Sequence, residues 1–124
     1  MSQQIISKIT MMAGKNATVL EQEWGRLTWY ASAELGNSSF MTVGICEIKS
    51  GCANPRHLHP NCEEVLHVMQ GTISHTGNTG DEIMHPGDTI SVPANTMHNA
   101  RNIGDERAIL LISFSSPVRL TQGE

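Results

Sequence analysis

The sequence predicts an all-β domain of the antiparallel barrel or jelly-roll type. Three observations point there. Short segments rich in β-branched and aromatic residues recur, with turn signals about every 8–12 residues. The 11 glycines and five prolines fall mainly at the breaks between them. No window carries an apolar stripe of helical period beyond about two turns.

The elements are justified in order. Residues 1–25 have no clean period, and Ala13-Gly14-Lys15-Asn16 reads as a turn. They are expected to form an N-terminal arm packed on the domain or on a partner chain. Residues 26–124 are expected to form the single barrel. Arg26–Ser32 carries Leu, Thr, Trp and Tyr, which suit a pleated surface. Gly36-Asn37-Ser38 turns the chain into Ser39–Ile48, and Lys49-Ser50-Gly51 ends that strand. Pro55 and Pro60 bracket a short extended piece, Arg56–His59. Glu64–Met69 and Thr72–His75 flank Gln70-Gly71, and Gly77-Asn78-Thr79-Gly80 is a hairpin loop. Asp81–Met84 and Thr89–Val92 flank His85-Pro86-Gly87-Asp88, a turn in which Asp88 accepts backbone donors. Met97–Asn102 and Arg107–Phe114 complete the set.

Composition narrows the function classes. A chain of 124 residues fits one core. Eight Lys+Arg against 12 Asp+Glu give a net charge of −4, and no basic cluster marks a nucleic-acid surface. No apolar run approaches the length of a membrane span. Met1-Ser2-Gln3-Gln4 lacks the charged start and long apolar run of a signal peptide. Cys46, Cys52 and Cys62 are odd in number and form no CxxC, so a disulfide scaffold is not expected and the cytoplasm is. With aromatics at 4%, aliphatic residues and methionines are expected to build the core.

The histidines carry the chemistry. His57 and His59 are two apart, so an extended backbone points both to one face. Glu64 opens the next strand, and His98 follows a Pro-Ala-Asn-Thr turn further on. Three imidazoles and one carboxylate converging on the interior would suit a divalent transition ion: Fe, Mn, Ni, Cu or Zn. Four protein ligands leave open positions on an octahedral ion, as a catalytic metal requires. Glu63 is the rival carboxylate, but its parity on the strand sends it to the opposite face.

Two motifs resemble those of the cupin superfamily, in its small single-domain form. They are Gly51-x5-His57-x-His59-x4-Glu64-x6-Gly71 and Gly87-x5-Pro93-x-Asn95-x2-His98-x3-Asn102. The second departs at Asn95, where the family usually has glycine. Asn tolerates the left-handed backbone next best, so the turn should persist. The resemblance implies a double-stranded β-helix with a metal inside, held by His57, His59, Glu64 and His98. It says little about the reaction, because one such fold hosts many chemistries.

Other residues are candidates of a weaker kind. Tyr30 and His67 are candidate catalytic bases, although parity turns His67 away from Glu64. Arg26, Tyr30, Arg56 and Arg101 are candidate substrate contacts, since an inward arginine would fork onto a carboxylate or phosphate. Met41 and Met97 would line an apolar pocket around the metal. Cys62 lies near the metal only if its strand begins early; a loop position is the simpler reading. His75 and His85 flank the hairpin and are read as solvated.

The leading expectation is a small metal-dependent enzyme on a small polar substrate, either a sugar-acid isomerase or lyase or a dioxygenase. The alternative is a non-catalytic small-ligand-binding or sensor barrel. No nucleic-acid or membrane partner is expected, and exposed sheet edges suggest a homodimer.

Overall fold

Backbone reversals fall where the turn residues stand. In the computed structural model, which describes residues 5–123, Gly51, Gly71 and Gly87 take φ of 78°, 88° and 96°. Asn95 takes φ 63°, the left-handed conformation expected of it. Gly71 is also required by contact, because a Cβ there would lie 2.9 Å from the Ala108 backbone. Residues 1–4, which include the stretch read for a signal peptide, and residue 124 lie outside the described residues.

Among the described residues eleven strands form: β1 (Thr18–Gln22), β2 (Gly25–Ala31), β3 (Thr42–Ile48), β4 (His57–Leu58), β5 (Glu64–Gln70), β6 (Ile73–Gly77), β7 (Gly80–Met84), β8 (Thr89–Val92), β9 (Asn99–Asn102), β10 (Ala108–Phe114) and β11 (Gln122–Gly123). One sheet runs β1-β2-β3-β10-β5-β8, a second runs β7-β6-β9, and β11 pairs with β4. Every pairing is antiparallel. Two elements carried no strand signal in the sequence. All five residues of β1 are exposed, so no alternation of apolar positions marked it. β11 is two residues long and exists through its pairing with His57–Leu58.

The period of two decides what enters the core. On β3 the buried residues are Thr42, Gly44, Cys46 and Ile48; on β5, Glu64, Leu66 and Val68; on β10, Ala108, Leu110, Ile112 and Phe114. Ile48, Val68, Ile73 and Leu110 are sealed from solvent. The expectation that methionines build the core is corrected. Among the described residues Met84 is buried, whereas Met11, Met41 and Met69 are exposed. Aliphatic residues fill most of the core as expected, joined by Trp29 and Phe114, whose ring centroids are 6.0 Å apart. Gly44 stands opposite Trp29 across β2 and β3, and the indole fills the place where a Cβ would be.

Candidate metal centre

The backbone of β4 brings the first two histidines to the third. His57 N–H donates to the His98 carbonyl (3.0 Å), and His98 N–H donates to the His57 carbonyl (2.8 Å). This reciprocal bridge puts both side chains on one face of the ladder. Residue parity then carries His59 to the same side, its ring centroid 4.9 Å from that of His57. The left-handed turn at Asn95 is tied in as well, since Asn95 N–H donates to the His59 carbonyl (2.8 Å). Glu64 enters from the start of β5. Glu63 is exposed, and Glu64 is buried at 4%.

The donor-capable atoms of His57, His59, Glu64 and His98 all lie within 4.8 Å of one another. Glu64 Oε1 is 3.4 Å from His59 Nε2 and 3.2 Å from His98 Nε2. Those three atoms are buried and have no hydrogen-bond partner. The proton positions explain why. His57 Nδ1 donates to the Pro55 carbonyl (2.7 Å) and His59 Nδ1 to the Leu120 carbonyl (2.9 Å). A carbonyl can only accept, so each ring in its neutral form leaves Nε2 as a bare lone pair. Lone pairs and a carboxylate oxygen facing one another in a dry interior repel unless a cation sits among them. Three imidazoles and one carboxylate are a donor set that fits a divalent transition ion.

Burial works to raise the Glu64 carboxyl; its lowering to about 2 belongs to the state in which the His59 and His98 rings turn an N–H toward it, not to the one with two bare lone pairs. Burial lowers His57, with the neighbouring His98 and His59 adding to the effect against its bond to Pro55. His75 is pushed down to about 4 by burial and then by His98.

The structure brings together the four residues of the expected cluster, but not the others as expected. Tyr30 is exposed: it is the extra residue of a bulge between Trp29 and Ala31, and the bulge turns it outward. His67 lies on the outer face of β5, bonded to Thr89 Oγ1 (2.8 Å). Neither reaches the cluster. Arg26 pairs with Glu21 and Glu47 on the outside, and Arg101 is exposed, donating to the Gly51 carbonyl. Met41 and Met97 do not line the cavity, whereas Arg56 does. Cys62 is a loop residue as read, yet buried. Asp88 accepts the His85 N–H (2.8 Å), as its turn required.

Two features were missed along the chain, although the alternation of Ile73 and His75 against Ser74 and Thr76 could have found the first. His75, read as solvated, is 2% exposed, and its Nε2 lies 3.0 Å from His98 Nδ1. The second is the segment 115–123, which runs back across the barrel mouth. It places the Leu120 carbonyl on His59 and Arg119 over the Trp29 ring, Cζ 4.4 Å from its centroid. Burial works against the Arg119 charge and the Glu64 carboxylate supports it. His75, Arg119, Thr121 and Gly123 border, with the cluster, a cavity of about 290 Å³. Leu27, Trp29, Leu66, Ile112 and Phe114 give it apolar lining, and the His/Glu cluster, Arg56 and Arg119 give it polar lining.

Comparison with known proteins follows this geometry. A sequence profile described as "Cupin domain" matches residues 44–114. An auxin-binding protein of Prunus persica, ABP19b, is 38% identical over 86 residues, covering 65% of this chain and 41% of that protein. Oxalate oxidase 1 of Hordeum vulgare is 27% identical over 88 residues, covering 64% of this chain and 44% of that protein. The chain thus spans less than half the length of these relatives. Among solved structures, Lactobacillus farciminis oxalate decarboxylase in complex with formate superposes with a TM-score of 0.81. Its identity is 24%, over 88% of this chain and 34% of the other. Bacillus subtilis oxalate decarboxylase, studied for its Mn(II) centres, has a TM-score of 0.77 at 23% identity, covering 85% of this chain and 29% of that one. At these identities the structural matches establish the fold alone.

Proposed function

The chain belongs to the cupin family, and we propose that it is a metal-dependent enzyme acting on a small polar substrate that carries a carboxylate. The observation behind this reading is the trio of buried atoms without partners, His59 Nε2, Glu64 Oε1 and His98 Nε2. His57, His59, Glu64 and His98 would hold one divalent transition ion. Manganese is the first to test, given the Mn(II) centres of B. subtilis oxalate decarboxylase. When bound, such an ion supplies a Lewis acid or a redox centre with positions open to a small molecule.

The chain's own residues bind and orient. A divalent ion outweighs the Glu64 carboxylate, and Arg119 adds positive charge to the same cavity. Anions are therefore drawn in, and a guanidinium can fork onto a carboxylate. The stacking of Arg119 on Trp29, with Phe114 at 5.3 Å, restrains its direction. The apolar lining leaves room for the body of a small acid and keeps bulk water away from it. Oxalate, named in two of the similar proteins, is the simplest ligand to try first. The partner we propose is a second copy of the chain, met along the exposed β1 edge.

The test is elemental analysis of protein purified without added metal or chelator, beside His57→Ala and His98→Ala. It is followed by oxygen uptake and carbon dioxide release with small mono- and dicarboxylates. Near-stoichiometric metal, absent from both variants, with turnover of a small acid is the expected result. Metal without turnover of any acid leaves a ligand-binding barrel. No metal, even after reconstitution with Mn(II) and Zn(II), overturns the reading.

A further inference from the structure

The three histidines of the cluster do not hold their outer nitrogens in the same way. His57 and His59 each give Nδ1 to a backbone carbonyl, an acceptor that fixes where the proton must be. His98 instead gives Nδ1 to another imidazole, His75 Nε2, at 3.0 Å. That partner can either accept or donate. The rings lie 5.1 Å apart with planes 32° from parallel.

His75 is placed for this contact by the second sheet. It sits on β6 in register with Ala100 of β9, two residues beyond His98. Ala100 is small and buried, so the neighbouring histidine ring has room to reach toward His98. His75 itself is 2% exposed. A buried imidazole is seldom kept for packing alone when an apolar residue would fill the same volume.

We propose that His75 is a positioning residue: it accepts the Nδ1 proton of His98 and so holds the His98 Nε2 lone pair toward the point shared with His57, His59 and Glu64. The inference rests on the metal reading above. A histidine ligand orients best when its other nitrogen donates to a fixed acceptor. In this chain the acceptor for His98 is a side chain on β6, so the second sheet takes part in building a site whose four clustered residues lie on β4, β5 and the loops beside β4 and β9. Its own proton must then stand on Nδ1. That nitrogen belongs to a ring bordering a small surface pocket beside Gly77 and Thr96.

The test measures Zn(II) and Mn(II) affinity by chelator competition on wild type, His75→Leu and His75→Gln, with thermal melts of the metal-free proteins as the fold control. Ring ¹⁵N shifts of His98 in the Zn(II)-loaded protein report the tautomer. His75→Leu is expected to weaken metal binding by about 10- to 100-fold. His75→Gln, which keeps an acceptor oxygen, is expected to recover most of it. His98 should show a protonated Nδ1 in wild type. Wild-type affinity in His75→Leu, or a bare Nδ1 on loaded His98, overturns the inference and leaves the metal reading standing. A wild type that takes up neither metal overturns both. If His75→Leu does not fold, the tautomer and the His75→Gln affinity decide, and a weakened His75→Gln counts against the proposal.

Discussion

Glu64 Oε1 lies 3.4 Å from His59 Nε2, while the other nitrogen of that ring already donates to the Leu120 carbonyl. Two acceptors thus face each other inside the barrel, with His98 Nε2 buried and without a partner beside them. Each such buried, unsatisfied group costs about 1–3 kcal/mol. Glu64→Gln replaces an acceptor by an amide that can donate. The metal-free variant is therefore expected to melt several degrees higher than metal-free wild type, by about 1 kcal/mol of added stability, while its metal affinity falls at least about tenfold. Calorimetry with and without Mn(II) reads both. A metal-free variant less stable than wild type would contradict the account of the cluster.

Arg119 lines the cavity together with the cluster and Arg56. Arg119→Met keeps the stacking on Trp29 and removes the charge. It is expected to weaken binding of a small carboxylate by about 10- to 100-fold, in line with the roughly 1.5–3 kcal/mol of a charged hydrogen bond. Metal content should stay unchanged. Titration of the loaded protein with oxalate checks it, and equal affinity in the two proteins would remove Arg119 from the substrate site.

Asn95 occupies a left-handed position at φ 63°. Asn95→Gly is expected to be nearly neutral, and Asn95→Val to cost about 2 kcal/mol, because a branched side chain clashes there. The turn also holds the His59 carbonyl, so Asn95→Val should lower metal affinity as well. Urea denaturation and chelator competition measure the two effects.

Burial, followed by the charges of Glu64 and Glu47, pushes the Cys46 thiol far above its ordinary value of 9.0. The folded protein keeps that proton where the unfolded chain has lost it. The stability tied to Cys46 is thus complete below pH 9.0 and is lost as pH rises above it. The loss is expected to be about 1.4 kcal/mol per pH unit for one thiol. Cys46→Ala should flatten the alkaline limb of a plot of stability against pH, leaving a smaller slope from Cys62, whose thiol is also raised by burial.

The β1 edge is open, and its Val19 and Leu20 are 52% and 43% exposed. Ile9 and Met11 of the arm are more exposed still. Such an edge pairs readily with another chain. Light scattering is expected to give twice the 13.5 kDa chain mass, and Val19→Lys with Leu20→Lys to give the monomer. A monomeric wild type would remove the dimer.

Much of the fold was legible because its signals are local. Strand period, the glycine and asparagine turns and the parity separating Glu64 from Glu63 each depend on residues a few positions apart. The His57–His59 pair was legible for the same reason. Only the tertiary structure decided the surroundings of that set. Tyr30 turned outward through a bulge that depends on how β2 registers against β3. His75 turned inward on the face it shares with Ile73, as the period of two along β6 allows, but its meeting with His98 depended on β6 lying against β9. Arg119 and Leu120 reach the cluster through a segment without periodicity, held by the pairing of Gln122–Gly123 with His57–Leu58. The sequence by itself determined which residues share a face of each strand. Which faces meet, and what closes over them, was decided by pairings between distant segments, and those gain their energy only once the sheets assemble.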